Sequence, residues 1–259
     1  RVFLGWLRGE RGHCGMVAIP TMAEEDARRP SREREKLVGE KTRIINTIKA
    51  AMQRLGIRGF NPALKRAAKQ LDSLTTPDGD PLPPNLRSEL QRYLERLSLV
   101  REQIATIERE RLARLEAAPD MKTNAMVLLL TRIIGVGVET ADMLVQELLS
   151  RKLRDRRAVA RYAGLTGAPD ESGARRREKG LSKFGNARVR RGLIQLAWRF
   201  LMFQKESGLA QWYRHRTVGD APTPRKKMIV ALARKLLIAF WRMVTTGEVP
   251  AGVVLRPTV

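Results

Sequence analysis

The chain has 259 residues, with 50 Lys+Arg against 27 Asp+Glu, a formal net charge of +23 and 43% apolar residues. That length and apolar share allow one large domain or two ordinary ones with a sizeable core, which argues against wholesale disorder. So much self-repelling positive charge calls for an acidic partner, and nucleic acid is the usual one.

Other classes fall away quickly. The longest apolar runs, Ala125–Leu130 and Leu236–Trp241, are far too short to span a bilayer, so no membrane partner is expected. Cys14 is the single cysteine, which excludes an intrachain disulfide and points to a reducing, cytoplasmic setting. Only His13 and His215 could join it as soft ligands, so no metal site is expected in this chain. The charge is also uneven. Residues 1–150 carry a net +5 and residues 151–259 a net +18, which weighs against a merely solvated basic surface.

In chain order, residues 1–30 are short and mixed. Val2, Phe3, Trp6 and Leu7 could line one side of a helix, and Met16–Ile19 could form a brief strand. Arg8, Glu10 and Arg11 interrupt any leader-like apolar stretch. The chain starts on Arg1 rather than Met, and this segment is expected to be the tail of a body that precedes it.

From Glu33 the pattern turns helical, with Leu37, Lys41, Ile44, Ile48, Ala51 and Leu55 on one stripe, Ser31 as a candidate N-cap and Gly56 as a stop. A shorter helix is expected from Asn61-Pro62 to about Leu74, and Thr75–Pro84 is a turn-rich linker. A long helix follows over about 85–117. Its Leu86, Leu90, Tyr93, Leu97, Val100, Ile104 and Ile107 repeat by four and three, a coiled-coil seam. The seam could pair with the 33–56 helix or with a second protomer, and sequence favours neither. Beyond Pro119-Asp120, helices are expected at about 123–133, 138–151, 155–163, 186–204 and 224–246, with almost no strand alternation.

Three motifs could carry chemistry. Ile133–Ala141 places Gly135 and Gly137 in a Gly-x-Gly turn between two helices, the pattern of a helix-hairpin-helix whose backbone can approach phosphate. A tight packing turn is the alternative. In Gly164–Gly180, Ser172 stands beside Gly173 and is followed by Arg175, Arg176 and Arg177. The serine could attack a phosphodiester while the arginines neutralise the charge that develops. On residues alone, a basic loop that clamps DNA outweighs that reading, because no histidine is near. In Leu181–Arg191, Asn186 would cap a helix with Arg188, Arg190 and Arg191 in its first turns, beside Lys183. Cations there oppose the helix dipole, so phosphate binding gains weight. Ser182 is a second possible nucleophile. Arg225-Lys226-Lys227 opens an amphipathic helix with Ile229, Leu232, Leu236 and Phe240 on one face, and Trp198, Trp212 and Trp241 are expected in the core.

In this order and spacing, IIGVGVETA, YAGLTGAPDESG, RRREKGLSKFGNARVRRGLIQLAW and KKMIVALARKLL resemble the C-terminal half of the DEDD-type insertion-sequence transposases, the bridge-RNA-guided DNA recombinases. The preceding helices resemble that family's coiled-coil segment, and FLGWLRGE resembles the end of its RNase-H-like domain. The resemblance implies a mainly α chain in three parts. These are an RuvC-like remnant at 1–30, a helical coiled-coil segment at 31–118, and a C-terminal transposase domain at 119–259 that contains the helix-hairpin-helix.

It also implies cutting and rejoining of DNA through a covalent phosphoserine, with the nucleophile falling on Ser172 of Glu171-Ser172-Gly173. Mg2+ held by four acidic residues, a guide RNA and a homo-oligomer built through the coiled coil belong to the same expectation. The acidic residues match nothing here, since Asp72, Asp78 and Asp80 sit around the proline-rich linker. The resemblance therefore implies a truncated transposase that binds DNA and is inactive alone. The alternative is a non-catalytic helix-hairpin-helix nucleic-acid-binding protein. A ribosome-associated basic protein would leave the ESG loop without a purpose.

Overall fold

In a computed structural model of the chain, residues 2–10, 19–172, 175–182, 184–218 and 224–257 are described. Within 169–179 only backbone is described. The possible strand at 16–19 lies mostly outside these residues, as do Gly173 and Lys183.

The fold is mainly helical, in two packed parts. A short helix α1 (Val2–Leu7) keeps Phe3, Leu4 and Leu7 exposed. The long α2 (Met22–Arg54) begins earlier than the apolar stripe suggests, and Thr21 caps it rather than Ser31. Thr21 Oγ1 accepts from the Glu24 N–H at 3.1 Å, and the Glu24 carboxylate accepts from the Thr21 N–H at 2.8 Å. This reciprocal box satisfies two N–H groups that a helix start leaves open. Pro30 lies inside α2, where its missing N–H removes one rung of the ladder. The boundary drawn between 30 and 31 therefore falls within a helix.

Gly56, at φ +69°, ends the helix as expected. The expected helix from 61 to 74 contracts to α3 (Ala67–Leu71), because Asn61 Oδ1 accepts from the Ala63 N–H and holds a turn instead. After the linker comes α4 (Pro84–Ala117). Arg34 meets Glu108 and Arg96 meets Glu40, so α2 and α4 run antiparallel as a helical hairpin. The seam residues Leu90, Leu97, Val100 and Ile104 are buried in one cluster with Ile44, Ile48 and Met52. In this structure the seam packs against α2 of the same chain.

The second part starts with α5 (Lys122–Thr131), a turn at 132–137, α6 (Val138–Leu144) and one π turn at Val145–Leu149. Helix α7 (Arg156–Tyr162) follows, capped by Asp155. A two-stranded antiparallel hairpin, β1 (Gly167–Ser172) and β2 (Arg175–Leu181), stands where no strand was expected. Then come α8 (Ala187–Phe203), α9 (Gly208–Thr217) and α10 (Arg225–Thr246). Leu144, Leu148, Leu193, Phe200, Leu232 and Phe240 form the centre of this core. Helix α9 has no counterpart in the hydrophobic periodicity. Trp198 is corrected from core to surface: it is 46% exposed and meets Tyr213 edge to face.

Candidate nucleic-acid interface and its scaffold

The two parts are joined by buried charge. On the π turn, Glu147 is almost fully buried. Its Oε1 accepts from Arg32 Nε at 2.8 Å and Arg188 Nη1 at 3.0 Å, and its Oε2 from Arg32 Nη2 at 3.1 Å and Asn186 Nδ2 at 3.0 Å. Burial by itself would push this carboxyl up. Arg32 foremost, then Arg188 and Asn186, outweigh it and hold Glu147 below the usual carboxylate range. The same contact with Glu147 raises the Arg32 guanidinium further.

One turn away, Asp142 pairs with Arg111 Nε at 3.1 Å and Arg114 Nη2 at 2.9 Å, while Glu139 meets Arg34 and Arg111. Arg28 Nε donates to the Gln146 carbonyl at 3.0 Å. Buried ions of this kind need pairing and hydrogen bonds. Each here is ion-paired, while Arg111 Nε and Nη2 and Arg188 Nε find no hydrogen-bond acceptor among the described residues. The sequence motifs did not anticipate this network. The available signal was Asp142 and Glu147 inside the apolar run ADMLVQELL.

The network takes up two arginines expected at phosphate. Arg188 bridges Glu147 and Glu35 and donates to the Ser31 carbonyl and hydroxyl at 2.6 and 2.9 Å, while Arg191 pairs with Glu35 at 2.8 Å. In this structure both tie α8 to α2. Arg190 donates to the carbonyls of Ser182 and Phe184 at 3.3 and 3.4 Å, strapping the segment between β2 and α8. Asn186 caps α8 as expected, with Oδ1 accepting from the Arg188 and Val189 N–H groups, while its Nδ2 holds Glu147.

The Gly-x-Gly turn has two unlike halves. At Gly135, φ is +97° and an added Cβ would lie 3.1 Å from Phe203, so this glycine serves packing. Gln204 Nε2 donates to the Ile134 and Val254 carbonyls, which closes the same side. At Gly137, the N-cap of α6, an added Cβ would meet nothing within 4 Å.

Glu171 and Ser172 lie at the end of β1. Ser172 is the last residue of β1 and stands opposite Arg175, the first of β2. Glu171 opposes Arg176 and Asp170 opposes Arg177, so the register matches acidic with basic positions. Ser182, the other candidate nucleophile, is buried, and its Oγ accepts from the Phe184 N–H at 3.2 Å.

Among the described residues no three His, Cys, Asp or Glu side chains converge in a way that could hold a metal ion. The carboxylates nearest the arginine helix are each engaged by guanidinium groups.

Comparison with known proteins gives the class first. Residues 127–217, from α5 to the end of α9, match the model of the Transposase IS116/IS110/IS902 family. The chain is therefore similar to insertion-sequence transposases across the turn, the hairpin and the arginine helix. A particular relative extends the likeness to nearly every residue. The chain is 42% identical over 264 residues to "Putative transposase y4rJ" of Sinorhizobium fredii, covering 99% of this chain and 66% of that protein. No helix among the described residues is long and apolar enough to cross a membrane.

Proposed function

We propose that the chain acts in DNA transposition as a DEDD-type, bridge-RNA-guided member of this transposase family, with Ser172 as its nucleophile. The observation that carries this reading is the family match over 127–217, which contains the whole β1–β2 hairpin with Ser172 at its end opposite Arg175. A two-stranded hairpin is a firmer platform than a free loop, and it sets three arginines directly beyond the serine.

In the proposed step, Ser172 Oγ attacks the phosphorus of a DNA phosphodiester. The Oγ–P bond forms as the bond from phosphorus to the leaving nucleoside oxygen breaks. The serine proton passes to a base, and the leaving oxygen takes up a proton. Arg175, Arg176 and Arg177 neutralise the phosphoryl oxygens as charge builds on them. By the resemblance, Mg2+ supplies Lewis-acid stabilisation in such a site. The described residues hold no ligand cluster for it.

The turn at 132–137 is read as the hairpin of a helix-hairpin-helix, approached by phosphate at Gly137 rather than Gly135. Arg190, Lys183 and the hairpin arginines extend that backbone contact. Arg188 and Arg191 act as positioning residues, since their partners are Glu147 and Glu35. Guide RNA enters as a partner of the whole family assembly. The test is covalent capture: the chain, a full-length relative, guide RNA and target DNA are mixed and denatured. A protein–DNA adduct on this chain that Ser172→Ala abolishes supports the reading. Salt-sensitive binding without any adduct would favour the non-catalytic alternative.

A further inference from the structure

A second basic surface lies on the second part of the fold, built from residues that none of the three motifs includes. Helices α7, α9 and α10 enclose an open groove of about 660 Å³ lined by Arg156, Arg157, Arg234, Lys235 and Arg242 together with Trp212. No carboxylate lines it.

The placement follows from helical geometry. The face of α10 that carries Ile229, Leu232, Leu236 and Phe240 is buried in the core. Positions 234, 235, 238, 239 and 242 fall on the other side at three- and four-residue spacing, so the cations form a stripe along the groove. Among the described residues Arg156, Arg157 and Arg234 have no side-chain hydrogen bond or ion pair. The nearby acids are already engaged. Asp155 accepts from the Arg157 and Ala158 N–H groups and pairs with Arg154, and Glu248 lies 3.7 Å from Arg242.

Five cations along one groove repel one another, with only the exposed Glu248 at 3.7 Å from Arg242 to offset them, whereas a line of phosphates would satisfy them all. The aromatic lining narrows the occupant further. Lys235 Nζ sits 4.6 Å from the centre of the Trp212 ring, so that indole face is covered rather than open to an unstacked base. Readers of single strands and RNA loops present free aromatic faces, and duplex backbone readers need only spaced cations.

The geometry points to a duplex-DNA docking groove on α7, α9 and α10, separate from the β1–β2 hairpin, which grips the phosphate backbone without reading bases. This inference rests on DNA being the substrate under the proposed function, and its test is independent of covalent chemistry.

The experiment is fluorescence anisotropy of a labelled duplex of random sequence with the 259-residue chain across a salt series, with an RNA hairpin probe in parallel. Arg157→Gln/Arg234→Gln is compared with the parent, with Arg156→Gln/Arg242→Gln as a second groove pair. Lys49→Gln/Arg92→Gln, two exposed cations on the helical hairpin, controls for net charge. Thermal melting verifies that each variant is folded. Each groove pair is expected to weaken duplex binding and to flatten the slope of log K against log salt. The change should be roughly 0.9 for each phosphate no longer neutralised, about 2 for a pair. A slope that changes no more than in the control overturns the proposal, as does weakening confined to the RNA probe. Adduct formation at Ser172 is read separately, so either idea can fail while the other stands.

Discussion

Glu147 and Arg188 lie 3.0 Å apart, Oε1 to Nη1, and through this contact the π turn, the arginine helix α8 and the long helix α2 meet at one buried point. Arg32 reaches the same carboxylate from α2, and Asn186 reaches it from the α8 cap. The helix that follows the hairpin is therefore set in place by an acid rather than by apolar packing alone. Such a joint is directional: an ion pair fixes angle and register more tightly than an apolar face does.

Glu147→Gln tests that joint. The variant removes the carboxylate that Arg32 and Arg188 share and leaves them with Glu25 and Glu35 as counter-charges. Loss of one partner of a buried pair costs about 3–5 kcal/mol, the upper bound here. Arg32 is 38% exposed, so solvent screens part of this and about 3 kcal/mol is expected. At this chain length that lowers Tm by roughly 6–12 °C, measurable by calorimetry. A shift under about 2 °C would mean that the joint is not structural.

The same carboxyl gives the fold an acid limb. Its pKa is depressed in the folded state, so its stabilisation is complete above the unfolded value near 4.5 and is lost as pH falls through the lower folded value. Urea midpoints of the parent should decline below about pH 4.5 more steeply than those of Glu147→Gln. Parallel declines would remove Glu147 as the group responsible.

The two glycines of the turn should behave oppositely. Gly135→Ala must place a Cβ at φ +97° against Phe203 and is expected to cost about 2 kcal/mol or more. Gly137→Ala meets open space and should cost about 1 kcal/mol, the penalty of alanine at an N-cap, while weakening duplex binding. Melting curves beside anisotropy separate the two effects. Equal destabilisation would contradict the division between a packing glycine and an approach glycine.

Much of this architecture is legible in short stretches of sequence. The 4-3 spacing of α4, the Gly56 stop, the Asn186 cap and the apolar face of α10 all depend on neighbours a few residues away. The parts that escaped depend on other partners. Thr21 takes the start of α2 because Glu24 completes the box, and the stripe beginning at Glu33 carries no trace of that upstream turn. The β-hairpin was hidden because GAPDES and RRREKGL alternate poorly in hydropathy. Its signal is the match of acidic and basic positions across the register, Glu171 to Arg176 and Asp170 to Arg177. The pairing of Arg188 and Arg191 with Glu147 and Glu35 was not legible because those acids are remote in sequence.

The α4 seam offers a check on assembly. Leu97 is 1% exposed in the cluster shared with α2, so Leu97→Ala should cost about 2–5 kcal/mol. Because the partner helix is in the same chain, the drop in Tm should not depend on protein concentration. A concentration-dependent Tm that the variant abolishes would instead assign the seam to a second chain.

A covalent bond between Ser172 and DNA is the centre of the proposed chemistry, and peptide mass spectrometry of the denatured reaction after nuclease trimming tests it most directly. The expected product is a nucleotide-bearing phosphodiester on the peptide containing Glu171-Ser172-Gly173, absent in Ser172→Ala and unaffected by Ser182→Ala. An adduct that persists in Ser172→Ala, or that maps to another residue, would contradict it.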